Sequence, residues 1–271
     1  MNRTGKADDH RAQQGCSRTG KGRSGDQRAR GNDNSIETPL FLHPLFHGFP
    51  CVMTVSTTGS AGLGTDPTRF ILIGTSHPGN VGAAAGFYLS KCGASIIGII
   101  DRDGGIMNPD GFTHAEICRL FGDRNGNKLV TPDMMPFEEI NQKIWNCGAQ
   151  IFVPAAASRL VTKEQLDSMA AAGLETISCG ANVPFADQQI FFGPTAAEAD
   201  SKVSVIPDFI SNCGMARVFA YLITEDGDIT DQSIFEDVSF IIRDSIEEVK
   251  SKNSMMTGIS ATALSIALDK L

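Results

Sequence analysis

The chain has no C-x-x-C pair, no apolar run long enough for a membrane span, and almost no apolar side chain in its first 36 residues. Each absence excludes something. Seven cysteines are scattered at 16, 51, 92, 118, 147, 179 and 213 with no metal-ligand spacing. Their odd number and the apolar setting of several point to reduced thiols in a cytoplasmic protein rather than a disulfide framework. Without a spanning segment no membrane partner is expected. Without an apolar core at the start no secretion signal is expected. Positive charge is also scarce. The net charge of −8 argues against nucleic acid as a partner. That total hides an asymmetry, because residues 1–35 hold eight Lys/Arg against four Asp/Glu. This head is too polar to offset chain entropy by burial and is expected to be disordered. No internal repeat is found.

What is present is organised around residues 70–101, FILIGTSHPGNVGAAAGFYLSKCGASIIGIID. An apolar run enters a Gly/Pro turn, a small-residue helix pattern follows, and a second apolar run stops at Asp101. Strand, phosphate turn, helix, strand and acid in that order make a dinucleotide site. The glycines allow close backbone approach to a pyrophosphate, and a helix starting near Asn80 aims its free N–H groups at that charge. Asp101 lies 22 residues beyond Gly79 and would take the ribose hydroxyls. The turn departs from G-x-G-x-x-G, since Gly74 and Gly79 have four residues between them. Either Thr75–Pro78 carry an insertion, or His77 stands where the first glycine belongs; Asn80, Val81 and Gly82 are unaffected by the choice. The competing explanation is an ordinary strand–helix–strand unit whose glycines serve packing.

Elsewhere, Gly15–Lys21 nearly spells a P-loop but lacks the following Ser/Thr and a preceding strand, so it reads as chance. His43 and His47 are four apart with Pro44 between them, and nothing completes a metal site. Residues 56–68 read as a Gly/Ser/Thr linker, which places a domain boundary there: 1–68 an extension, 69–271 the domain. Arg102–Gly105 reads as a turn, and helix spacing runs over Phe112–Phe121. Asn125–Asn127 marks a tight loop, and a short helix is expected over Phe137–Trp145. Strands are expected at Ala149–Val153, Leu174–Cys179 and Val203–Ile206. Small residues (Pro154–Ala157) and two asparagines (Asn182, Asn212) fall just past strand ends, where α/β sheets bind ligands. Thr162 with Gln165 predicts a capping box for a helix over 163–172, ended by Gly173. Apolar helices are expected over 215–223, 231–251 and 257–270. The fold class is therefore α/β, a Rossmann-like doubly wound, mainly parallel sheet with C-terminal helices and a disordered N-terminal head.

Five blocks in order then carry a resemblance: P-G-N-V-G at 78–82, IIGIIDRDGGI at 96–106, VPAAASRLVT at 153–162, SCGANVPFAD at 178–187 and VIPDFISNCGMARVFAYL at 205–222. From about residue 70 onward the chain resembles the cofactor-binding domain of the glutamate/leucine/phenylalanine/valine dehydrogenase family. The resemblance implies oxidative deamination of an amino acid to a 2-oxo acid and ammonia, with hydride passing from the substrate Cα to NAD; NADP is the less favoured cofactor. By position, Gly79, Asn80, Val81 and Gly82 would face the pyrophosphate, Asp101 with Arg102 the adenosine ribose, and Ala155 and Ala156 the nicotinamide ribose. Asn182 would approach the nicotinamide, and Asn212 the amino-acid substrate.

Two departures bear on function. The family's cofactor half follows a substrate half that supplies a catalytic lysine and an assisting aspartate, and residues 1–69 contain nothing of that kind. Lys6 and Lys21 lie in the polar head. Where many members carry a substrate-touching serine, this chain has Phe219. A general base contributes about 10²–10⁴-fold, so the expectation is a dinucleotide domain that is feebly active by itself, with no catalytic residue assigned and with substrate and oligomeric state open. The other readings are a non-catalytic NAD-binding subunit that pairs with a full-length relative, and a different Rossmann enzyme, which the five ordered blocks disfavour.

Overall fold

In a computed structural model, the structure describes residues 69–73 and 80–271, apart from 124, 126, 127, 191 and 225–228. The polar head, the P-loop-like stretch, the His43/His47 pair, the linker and the turn with Gly74 and Gly79 lie outside the described residues. So does part of the Asn125–Asn127 loop.

β1 (Arg69–Ile73) is followed by α1 (Asn80–Lys91), β2 (Ser95–Ile100), β3 (Gly104–Phe112), α2 (His114–Gly122), β4 (Met135–Pro136) and α3 (Phe137–Lys143). A single 3₁₀ turn, Ile144–Asn146, leads to β5 (Ile151–Pro154), α4 (Lys163–Ala171), β6 (Thr176–Ser178), α5 (Pro194–Lys202) and β7 (Ser204–Ile206). The chain then runs through α6 (Asp208–Ser211), α7 (Gly214–Thr224), α8 (Asp231–Lys252) and α9 (Ile259–Asp269). The sheet order is β4-β3-β2-β1-β5-β6-β7. β2, β1, β5, β6 and β7 are mutually parallel, and β3 and β4 are antiparallel additions at one edge.

Alternation along the strands builds two layers of core. Ile151 and Val153 of β5 pack with Ala85 and Leu89 of α1 and Ile117 of α2. Phe152 points to the other face, against Ile140, Ile144, Leu166, Met169 and Ile177. Both faces are therefore covered by helices, which is why the parallel strands read as unbroken apolar runs. Each fully buried side chain of this size contributes about 1.5–3 kcal/mol. A third cluster, Ile210, Val238, Ile242, Val249, Ala263 and Ile266, holds the C-terminal helices together.

Helix ends are tied by side chains. Thr162 and Gln165 make the expected capping box on α4, and Thr113 with Glu116 makes another on α2. Two caps come from outside the usual N-cap position, one of them 60 residues away in sequence. Buried Asp187 accepts from the N–H groups of Thr195 and Ala196 at the start of α5 (3.0 and 2.9 Å). Asp200, on α5, accepts from Ser260 and Ala261 at the start of α9 (2.8 and 3.0 Å).

Two expectations are corrected. The Arg102–Gly105 turn closes within three residues, and Gly104 already begins β3, which runs back along β2. Helix α2 accordingly starts only at His114, with Thr113 as its cap. The strand GGIMNPDGF is poor in β-formers, and its pairing is secured by close approach instead. A Cβ on Gly105 would overlap the Ile99 carbonyl and Ile140. Helices α5 and α6 were not expected at all.

Candidate functional site

The order β2-β1-β5 contains a switch point: the chain leaves β1 for β2 on one side and β5 follows on the other. The carboxyl ends of the strands beside such a point are the usual ligand position in an open α/β sheet. Register places Ile100, Ile73 and Pro154 side by side, so Asp101, the end of β1 and Ala155 mark consecutive strand ends. Helix α1 begins at Asn80, with no acidic residue in its first turn. Its leading N–H groups have no partner within the helix, which leaves a positive end for an anion.

Beside that end the floor is nearly free of side chains. Ala155 and Gly180 are buried, and Ala156 is half-buried. A Cβ built on Gly180 would lie 3.1 Å from Val81 Cγ1, 3.3 Å from the Ala155 Cβ and 3.4 Å from the Pro154 carbonyl oxygen. The first turn of α1 and the ends of β5 and β6 therefore meet at a point where only glycine fits without a shift. The loops behind them are latched: Arg159 N–H donates to Val183 O (2.8 Å), Val161 N–H to Pro184 O (2.9 Å) and Ala186 N–H to Val161 O (2.8 Å). Arg159 and Val183 hold φ of 62° and 45°. For β-branched Val183 that is a strained conformation, of order 1–3 kcal/mol. Asp208 holds it by accepting the Val183 N–H (2.7 Å).

Farther along the edge, Asn212 Nδ2 donates to Asn182 Oδ1 at 2.6 Å, and the pair is open to solvent. The thiols nearby are not reactive groups. Burial pushes Cys179 well up, with the Asp208 and Asp200 carboxylates adding to it, and burial raises Cys213 as well.

The β2 end is different. Asp101 is only 5 % exposed. Its Oδ1 accepts from the N–H groups of Asp103 (2.8 Å) and Gly104 (3.0 Å), and its Oδ2 from Leu129 N–H (2.9 Å). The carboxylate thus pins the β2–β3 hairpin to the segment at Leu129 that follows α2. The solvent-facing charges of this corner are Arg102 and Lys128, both in contact with Asp103 (3.4 and 3.3 Å).

A family profile for glutamate/leucine/phenylalanine/valine dehydrogenase matches residues 60–263. The chain belongs to this family. Among curated relatives, it is 31 % identical over 145 residues to NAD-specific glutamate dehydrogenase A of Halobacterium salinarum, covering 52 % of this chain and 29 % of that protein. It is 28 % identical over 225 residues to glutamate dehydrogenase of Thermotoga maritima, covering 77 % of this chain and 49 % of that protein. The chain thus spans about half the length, or less, of the curated relatives it matches. In fold it is similar to hetero-hexameric glutamate dehydrogenase from Thermus thermophilus, with a TM-score of 0.54 at 18 % identity over 75 % of this chain and 46 % of that one.

Within this dehydrogenase-family sheet, the residues singled out in the sequence fall into three groups. Val81, Gly82 and Ala155 gather where α1 meets the sheet, Ala156 follows Ala155 on the same rim, and Asn182 and Asn212 touch each other. Asp101 and Arg102 lie apart at the β2 end. Gly79 lies outside the described residues, and of Asn80 only the backbone is described. Gly180, Val183 and Asp208 escaped sequence reasoning. Gly180 stands in a quoted block, but only the approach of Val81 shows what it is for. Among the described residues no group of three or more His, Cys, Asp or Glu side chains could hold a metal ion, and no helix is long and apolar enough to cross a membrane.

Proposed function

We propose that residues 69–271 form the nicotinamide-dinucleotide unit of an amino-acid dehydrogenase, with NAD the preferred cofactor. The observation that carries this is the meeting of the α1 N-terminus with Ala155 and Gly180, small residues that bring backbone close to where a pyrophosphate and ribose would approach. When bound, the dinucleotide supplies a hydride acceptor for the Cα of an L-amino acid, giving a 2-oxo acid and ammonia. This chain's residues bind and orient. The N–H groups from Asn80 through Gly82 face the pyrophosphate charge, and Ala155 and Ala156 leave room for the nicotinamide ribose. As oriented, the Asn182 amide N–H₂ and the Asn212 carbonyl oxygen remain free of each other for the nicotinamide amide and the substrate.

At the adenosine end the proposal gives Asp101 a supporting task, since three of its acceptor positions are spent on the hairpin. Arg102 and Asp103 are the groups that reach a ribose, and discrimination between NAD and NADP is accordingly modest. The loops after β5, β6 and β7 (155–162, 179–193 and 207–213) contain no lysine, and Arg159 is their one basic residue. We therefore infer binding with little turnover by this chain alone. Titrating the purified chain with NADH and following nicotinamide fluorescence tests the binding; an unchanged spectrum up to millimolar concentration would overturn it. Turnover of single amino acids with NAD by this chain alone would overturn the second part.

A second reading is a non-catalytic dinucleotide-binding subunit that pairs with a full-length relative; the match covers 49 % of the Thermotoga maritima protein. Co-purification with such a relative, together with a change in the relative's kcat, separates it from the first.

A further inference from the structure

On the outer side of the α1–α2 pair, three side chains form a relay that the dinucleotide reading does not use. Ser90 is 8 % exposed. Its Oγ lies 2.7 Å from Gly86 O and 3.1 Å from Phe87 O, so its one proton is given to backbone carbonyls. His114 Nδ1 lies 2.8 Å from the same oxygen, which accepts from it when Nδ1 carries the proton. In that tautomer Nε2 presents its lone pair. Nε2 lies 3.5 Å from Cys118 Sγ, one helical turn along α2. The Phe87 ring, 5.0 Å from the imidazole between centroids, holds the ring in place. A thiol, a base within reach, and a third group orienting the base are the arrangement that activates a nucleophile.

We propose that Cys118 is an activated thiol, a modification site for soft electrophiles and hydroperoxides, with His114 as its base and Ser90 as the group that positions the base. The thiol proton passes to Nε2, giving thiolate and imidazolium. With an alkyl iodide, the sulfur lone pair forms the S–C bond and iodide leaves with the C–I electrons. With a hydroperoxide, sulfur attacks the terminal oxygen, the O–O bond breaks, and the leaving alkoxide or hydroxide takes the proton from Nε2. The sulfur is oxidised to a sulfenic acid and the peroxide is reduced.

Both helices carry charged groups. Lys91 lies 5.9 Å from the Phe87 ring centroid, and Arg119 follows Cys118 on α2. Of the carboxylates, Glu116 is occupied by Thr113, whose hydrogen bonds hold its carboxyl below the usual range, and Asp123 lies beyond the end of α2. Tyr88 is the remaining titratable group on α1. The contrast lies within the chain: desolvation raises the thiols of Cys92, Cys179 and Cys213, and among the described residues none of these has a histidine as hydrogen-bond partner.

The test is iodoacetamide alkylation of the full chain, with each cysteine's rate read by peptide mass mapping between pH 6 and 9. At pH 7 an ordinary thiol is only a few per cent thiolate. Cys118 is expected to react about tenfold faster than Cys213 at that pH. His114→Gln is expected to lower the Cys118 rate about tenfold while leaving Cys213 unchanged, and Ser90→Ala to lower it severalfold. Equal Cys118 rates in the parent and in a folded His114→Gln variant would overturn the proposal. Should that variant fail to fold, the parent's profile decides. A rate that falls tenfold per pH unit below about 8.5 is that of an ordinary thiol and overturns it. The reading stands or falls independently of NADH binding.

Discussion

The two ends of this strand edge are built on opposite plans. At the β5–β6 end the chain withholds side chains, so Ala155, Ala156, Gly180 and Ala181 offer backbone and space, and the contact that matters is the one a Cβ on Gly180 would spoil. At the β2 end it supplies charge and then spends it, with Asp101 buried under three backbone N–H groups and Arg102 and Lys128 turned on Asp103. The first plan binds whatever has the shape of a ribose-phosphate. The second first secures a hairpin, and reads a ligand only through the residues left over. A difference of this kind predicts that substitutions at the β2 end strike stability before affinity, and that those at the β6 end do the reverse.

The largest effect should come from Asp101→Ala. It strands the N–H groups of Asp103, Gly104 and Leu129, two of them buried, and is expected to cost about 2–4 kcal/mol of unfolding free energy in urea. Affinities for NADH and NADPH should fall together. If stability holds within about 0.5 kcal/mol and only NADH binding suffers, Asp101 reads the ribose after all and the contrast between the ends collapses.

Next is Gly180→Val, which pushes Val81 and the first turn of α1 off the floor. NADH affinity should drop at least about tenfold, about 1.4 kcal/mol. Gly180→Ala should lose less, and adding Val81→Ala should recover part of that loss, since the two side chains compete for one space. NADH affinity untouched by either Gly180 variant would mean that the cofactor does not lie on α1.

The same contrast explains what could be read in advance. Runs such as Ile96–Ile100 and Ile151–Val153 announce themselves because strands buried on both faces need apolar residues at every position. The Thr162/Gln165 box is equally local: its partners are three residues apart and both must be of the right type. Asn182 and Asn212 could be placed past strand ends, but their mutual hydrogen bond joins residues 30 positions apart and has no local signal. The long-range cap at Asp200 fails for the same reason, and the Asp187 cap, eight residues from its partner, falls outside the local capping patterns. The strand Gly104–Phe112 hid behind its Gly, Asn, Pro and Asp content, because its pairing depends on close approach to β2 rather than on propensity. Helix α5 hid because PTAAEADSK shows no apolar stripe. Asp101 is the most instructive case. An acid after the second strand was legible, whereas the backbone groups that occupy it became visible only once the hairpin and the segment at Leu129 were folded beside it.

Smaller effects separate the asparagines from the rest of the edge. Asn182→Ala and Asn212→Ala each break the 2.6 Å contact on an exposed surface, so stability should change by less than about 0.5 kcal/mol. If the pair faces the nicotinamide, NADH affinity should fall about two- to fivefold, and each change should cost less in the other's background than alone. Loss of affinity with full additivity would mean that the two amides act separately.

The smallest expected effect is also the one that reads the β2 corner directly. Arg102 and Lys128 are more than half exposed and screened by solvent, so their contacts with Asp103 contribute little to folding. Their value, if a 2′-phosphate comes near, lies in two positive charges at a position where an arginine accommodates NADP. Arg102→Ala combined with Lys128→Ala should leave melting behaviour unchanged and NADH affinity within about twofold. NADPH affinity should weaken about two- to fivefold at low salt, with the difference shrinking as ionic strength rises past about 0.15 M. An equal loss for both cofactors would place these cations on the pyrophosphate. No loss for either would leave Asp103 with nothing to read, and would return the adenosine end to the α1 side of the switch point.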